Sequence, residues 1–284
     1  MYPPKFEYYR ANSVAEALSL LGQHRGAKVL AGGHSLIPAM NIRLADPGVL
    51  IDIGRISELK GISTGNGSVR IGALTTHASI AASGKVPQAL SEAAGRIGDP
   101  QVRNRGTIGG SLAHSDPAAD WPAAVIALSA EMVAAGPKGG RSISADKFFV
   151  DLLTTALQPE EILQEIRITP QKGKVGQSYM KVRHPASGFA MVGIAVNLVM
   201  DSTGKCQSAG IGVTGVAAKA YRATGVENAL KGAALDARTI AAAAAHAVDG
   251  VEANSDLAAS ADYRKQLAVV YTRRAIEAAV AKTK

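Results

Sequence analysis

The chain is poor in three features that would direct its function. Among 284 residues there is one cysteine, Cys206. A single thiol closes no internal disulfide and supplies neither a four-cysteine zinc site nor an iron–sulfur cluster. Aromatic residues make up 4%, with one tryptophan, too few for the repeated rings on which single-stranded nucleic acid stacks. No apolar run reaches the roughly eighteen residues of a membrane helix. The N-terminal Met1-Tyr2-Pro3-Pro4-Lys5-Phe6 lacks the apolar stretch of a signal peptide. These absences predict a cytoplasmic protein with no membrane span.

What is present is core material. Hydrophobic residues reach 47% and charged ones 19%, enough for a sizeable interior. At about 150 residues per domain the length suggests two domains. The net charge is +8, from 31 Lys and Arg against 23 Asp and Glu. The cations are scattered, the densest group being Arg103-Asn104-Arg105, and no nucleic-acid motif accompanies them. No nucleic-acid partner is expected. Positive charge near Arg103 and Arg105 suits docking of an acidic partner.

The first half alternates. Phe6–Tyr9 reads as a strand, Val14–Gln23 as a helix opened by the capping-box spacing Ser13-Val14-Ala15-Glu16, Lys28–Ala31 as a strand, Leu36 onward as a helix and Val49–Ile53 as a strand. Ile62–Thr64 and Val69–Ile71 flank Asn66-Gly67 as a hairpin. Helices are predicted at Thr76–Ser83, Pro87–Arg96 and from Asp120, strands at Glu131–Ala135 and Ile162–Ile168, with a glycine-rich stretch at Gly106–Ser111. Pro170-Gln171-Lys172-Gly173-Lys174 is polar and turn-forming, a domain boundary. Beyond it, three strand-like runs (Gln177–Arg183, Met191–Met200, Ser208–Val213) precede three helices, Val226–Lys231, Ala237–Val248 and Ala261–Lys282. Thr224 has capping-box spacing to Glu227. The order implies an α+β fold with domains 1–173 and 174–284.

Two glycine turns carry the chemistry. In Lys28-Val29-Leu30-Ala31-Gly32-Gly33-His34-Ser35 an apolar strand runs into two glycines and a helix start. Glycines permit positive φ and let backbone amides face an anion. Either this is a phosphate cradle or a plain strand-to-helix turn. The second, Thr107-Ile108-Gly109-Gly110-Ser111, is followed by Asp116 and Asp120. Asp120 suits a ribose contact, the N-cap of the next helix, or both; Asp116 suits an Asx turn. Two Gly-Gly turns fit a ligand with two phosphates, yet neither has the Gly-x-Gly-x-x-Gly spacing of a Rossmann site. His34, His114 and His184 show no metal-ligand spacing; His34 serves a cofactor or a structural hydrogen bond.

Ala31-Gly32-Gly33-His34-Ser35, Thr107-Ile108-Gly109-Gly110-Ser111 and Ala118-Ala119-Asp120, in this order, resemble the FAD-binding medium subunits of molybdenum hydroxylases, of the carbon monoxide dehydrogenase and xanthine dehydrogenase type. Pro159-Glu160-Glu161-Ile162-Leu163 and Ala261-Asp262-Tyr263-Arg264-Lys265 extend the likeness over the chain. The resemblance implies a two-subdomain, non-Rossmann FAD-binding domain of PCMH type, then a small domain with an antiparallel sheet and a helical bundle. It implies FAD contacts at Lys28–Ser35 and Thr107–Ser111, an acidic residue near the ribose at Asp120, and further contacts at Leu163, Lys181 and Ile97. Phe189 sits where relatives can place an aromatic beside the isoalloxazine. Lys181 is a candidate to stabilise reduced flavin. The resemblance further implies partners: a large molybdopterin subunit and a small subunit with [2Fe–2S] clusters, as a dimer of heterotrimers, with electrons leaving through FAD on this chain. A stand-alone FAD oxidoreductase of the same fold and a non-catalytic scaffold are the other readings.

Overall fold

The computed structural model describes residues 2–283. Its first layer is the predicted alternation. β1 (Glu7–Arg10), α1 (Val14–Gln23), β2 (Lys28–Leu30), α2 (Leu36–Asn41) and β3 (Val49–Asp52) form a parallel sheet of order β1-β3-β2. Ser13 Oγ accepts from Glu16 N at 3.1 Å, and the Glu16 carboxylate reaches back to Asn12 N at 2.8 Å, one residue before the cap. The buried face of α1 (Val14, Ala17, Leu21) closes a small core with Ile51, Ile53 and Leu59.

The second layer is antiparallel. β4 (Ile62–Gly65) and β5 (Ser68–Gly72) form the Asn66-Gly67 hairpin, both turn residues with positive φ, 49° and 72°. The sheet continues β4-β5-β10-β6-β7, with β6 (Glu131–Gly136), β7 (Gly139–Ser144) and β10 (Ile162–Ile168). Five helices connect β5 to β6: α3 (His77–Ala81), α4 (Gln88–Gly95), α5 (Pro100–Arg105), α6 (Ile108–His114) and α7 (Trp121–Ala127). Between β7 and β10 lie α8 (Ala145–Phe148) and the ribbon β8 (Phe149–Asp151) with β9 (Thr154–Thr155). Ile71, Ile80, Leu90, Leu112, Trp121 and Ile166 centre this core.

The third layer is a four-stranded antiparallel sheet: β11 (Lys174–Arg183), β12 (Ala190–Met200), β13 (Cys206–Thr214) and β14 (Tyr221–Arg222). Strand alternation splits its faces. Val192, Ile194, Val196 and Leu198 of β12 face α9 (Thr224–Leu230), α10 (Ala237–Ala244) and α11 (Ala261–Val280). Tyr179 and Ala195 instead join the second-layer core, so α4 and α7 lie between two sheets. Thr224 does not cap α9. Ala223 holds that position without a side-chain bond, and Glu227 accepts from Ile211 N and Arg222 instead. Among the described residues no helix is long and apolar enough to cross a membrane.

Candidate functional site

The first glycine segment leaves β2 and turns into α2. Gly33 has φ +76°, a left-handed conformation that favours glycine. Gly32 has no room for a side chain, because a Cβ there would strike the Arg105 carbonyl and Gly106 Cα. The amides of Gly32, Gly33, His34, Ser35 and Leu36 make no hydrogen bond within the described residues; Ile37 N is the first donor reclaimed, by Gly33 O at 3.1 Å. The Ser35 hydroxyl caps nothing. His34 Nδ1 lies 3.1 Å from Gly32 O. A run of unspent backbone donors at a left-handed glycine is an arrangement that favours an anion.

The second segment is a helix start rather than an open loop. Thr107 is the N-cap of α6, its Oγ1 accepting from Gly110 N at 3.2 Å. Ile108 N and Gly109 N donate to Thr75 O and Ala73 O, and Ser111 N to Thr107 O. These amides are spent inside the protein. The segment contributes shape: a Cβ on Gly110 would sit 3.5 Å from the Ala31 Cβ. The two segments thus touch at Gly32 against Arg105-Gly106 and at Gly110 against Ala31. Beyond α6, Asp116 forms the Asx turn, accepting from Ala118 N at 2.8 Å.

Asp120 starts α7, yet its side chain does not cap the helix. It is 4% exposed and takes Lys181 Nζ at 2.8 Å on both oxygens and the Tyr179 hydroxyl at 2.5 Å. Lys181 Nζ spends its remaining donor on Arg96 O at 2.9 Å. Three of the carboxylate's four lone-pair positions and all three ammonium protons are therefore used internally. Burial raises the Asp120 pKa and lowers that of Lys181, and each partner opposes the other's shift. Lys181, which the resemblance alone singled out, has its side chain 0% exposed. Tyr179 was missed, although it shares a strand face with Lys181 at the alternation of β11.

Lys181, Arg103 and Arg183 converge on one turn. Arg103 donates to Ile97 O and Gly98 O, and Arg183 to Arg96 O and Gly98 O. Ile97 is thereby fixed by its backbone at the rim of the core. Arg103, expected at a docking surface, is turned inward onto these carbonyls, while Arg105 is exposed. Leu163 is buried on β10 opposite Ala134. Phe189 stands 43% exposed, and the next residue, Ala190, donates to Ala118 O at 3.0 Å. Gly215 N and the Thr214 hydroxyl also bind the Pro117–Ala119 backbone. Burial pushes the Cys206 thiol up to about 11, which keeps it protonated near neutrality. Among the described residues no group of His, Cys, Asp or Glu could hold a metal ion.

Residues 4–171 match the family model described as the FAD binding domain in molybdopterin dehydrogenase, and residues 177–279 match the CO dehydrogenase flavoprotein C-terminal domain. The chain is 43% identical to the carbon monoxide dehydrogenase medium chain of Hydrogenophaga pseudoflava, over 99% of each chain. It is 34% identical to the glyceraldehyde dehydrogenase medium chain of Sulfolobus acidocaldarius, over 98% of this chain and 99% of that one. In three dimensions it is similar to the solved H. pseudoflava carbon monoxide dehydrogenase lacking the Mo-pyranopterin moiety of its cofactor (TM-score 0.96, 43% identity, all of both chains covered). It is also similar to quinoline 2-oxidoreductase from Pseudomonas putida 86 (TM-score 0.92, 33% identity, 99% of both chains).

Proposed function

Because this chain belongs to the family of FAD-binding medium subunits of molybdenum hydroxylases, we propose that its FAD spans the two touching glycine segments, with the pyrophosphate on the Gly32–Leu36 amides. One observation carries this placement. Those amides are unspent, and at Gly32 the first segment lies so close on Arg105-Gly106 that a Cβ has no room. The residues therefore fit the group on this chain's own geometry.

Bound there, FAD supplies redox chemistry that joins iron–sulfur centres to an outside acceptor. The rest is the protein's work. Lys28, Val29 and Leu30 deliver the first segment from the sheet. Gly32 lets the first segment lie on Arg105-Gly106, Gly33 supplies its left-handed turn and Ala31 packs towards Gly110, while the Ser35 and Ser111 hydroxyls stand ready to donate. Thr107, Ile108, Gly109 and Gly110 set the opposing wall. Lys181 and Asp120, neutralising each other and gripping Arg96 O, act by holding the turn that presents Ile97. Leu163 backs that wall from the core. This replaces a direct charge contact by Lys181 with a positioning role, and a ribose contact by Asp120 with an ion pair.

The subunit belongs to an oxidoreductase complex. In this reading a large molybdopterin subunit does the substrate chemistry and a small iron–sulfur subunit relays electrons, arranged as a dimer of heterotrimers in the cytoplasm. Relatives of similar length are named for substrates as unlike as carbon monoxide, glyceraldehyde and nicotine. That spread supports a substrate choice made outside this chain.

Gly32→Ala tests the placement. The added methyl would push the first segment off Arg105-Gly106, and the flavin-to-protein ratio of the purified variant is expected to fall at least tenfold. Wild-type flavin content in Gly32→Ala would overturn it.

A further inference from the structure

His77, the first residue of α3, is 4% exposed. Its amide donates to Gly106 O at 3.0 Å, which sets the ring beside the start of the second glycine segment. Trp121 Nε1 donates to His77 Nδ1 at 3.1 Å, with the rings tilted at 5.6 Å. An indole N–H only donates, so Nδ1 must accept and the neutral imidazole carries its proton on Nε2. Within the described residues that Nε2 makes no hydrogen bond. Burial, with His34 and Arg103 facing the ring, lowers the His77 pKa to about 4, so the imidazole is neutral near pH 7.

The position of this spare donor narrows its partner. Nε2 lies 2.6 Å from where a Gly106 Cβ would be, and Gly106 Cα lies 2.9 Å from where a Gly32 Cβ would be. Gly106 is therefore touched by Gly32 on one side and by the imidazole on another, with no side chain between them. The unspent Gly32–Leu36 amides and the Arg103 guanidinium lie on this side of the fold, and the nearest acceptors are the Val102 and Arg105 carbonyls, neither of which takes a hydrogen bond from Nε2. The unpartnered Nε2–H calls for an acceptor, and the unspent amides of the first segment favour an anionic one.

We infer that His77 is a further cofactor-binding residue, its Nε2–H donating to a pyrophosphate oxygen of the dinucleotide held on the Gly32–Leu36 amides. This rests on the FAD placement above. Trp121 is its positioning residue, because the indole bond selects the tautomer that presents the donor.

Nitrogen NMR of the full-length chain labelled with 15N-histidine tests this directly. At pH 7 the expected His77 pattern is an unprotonated Nδ1 and a protonated Nε2, with the Nε2–H resonance moving when FAD is added to saturation. Titration should show FAD binding about tenfold weaker or worse in His77→Phe, since hydrogen bonds to charged groups are strong. His77→Gln, whose amide reaches the Nε2 position, should recover most of the loss. An unmoved Nε2–H with FAD bound, or wild-type affinity in His77→Phe, would overturn the inference while leaving the FAD placement intact. Failure of the wild-type chain to bind FAD would overturn both. If His77→Phe fails to fold, the wild-type spectrum still decides.

Discussion

Lys181 and Asp120 leave water together, and each is stable there only because of the other. Removing one partner of a buried pair typically costs about 3–5 kcal/mol, because the remaining charge is stranded, whereas replacing both can be nearly neutral. Lys181→Met and Asp120→Asn should each lower the urea midpoint strongly, and the double variant should recover a large part of either loss. Additive losses would contradict a coupled pair. At this scale the sequence was unevenly legible. The glycine segments announced themselves by composition, but Lys181 and Leu163 were singled out only by resemblance, since a lysine on a strand is ordinarily solvated. Tyr179 was within reach of pattern: two residues from Lys181, it faces the same side. His77 carried no signal, because its meaning lies in Trp121, distant in sequence and adjacent only after α7 packs.

The elements follow local chemistry where caps and periodicity agree. Ser13, Thr76 and Asp236 all accept from backbone amides at the starts of α1, α3 and α10, and helices were foreseen at each place. Gly106–Ser111 stands out in the sequence only as a glycine-rich stretch, and glycine has low helix propensity. The structure makes it the start of α6 because Thr107 caps it and Ile108 and Leu112 are fully buried. Packing outweighs propensity there. β7 escaped notice because Gly139–Ser144 is an edge strand with only Ile143 buried, so it shows no alternation. Thr107→Ala should destabilise the protein by about 1 kcal/mol through the lost cap, read as a lower thermal midpoint, and Thr107→Ser should retain most of it. Equal stability of the alanine variant would mean that Thr107 Oγ1 does not hold α6.

Across the whole molecule, the C-terminal sheet does more than follow the cofactor domain. Strand β11 sends Tyr179, Lys181 and Arg183 into the first half, and β12 and β13 bind the Pro117–Ala119 backbone through Ala190, Thr214 and Gly215. Arg264 of α11 secures the same strand ends, donating to Met191 O and Gly215 O at 2.7 and 2.8 Å. The sequence placed a boundary near residue 173 from turn chemistry; it could not show that side chains cross it to shape the site. In the proposed placement this chain holds FAD across its two glycine segments. Visible absorbance of the purified full-length chain, titrated with FAD, tests it most directly. A bound oxidised-flavin spectrum saturating at one FAD per chain is expected, with FAD and not FMN as the species released on denaturation. No bound flavin at saturation, in the chain alone and in its assembled complex, would contradict it.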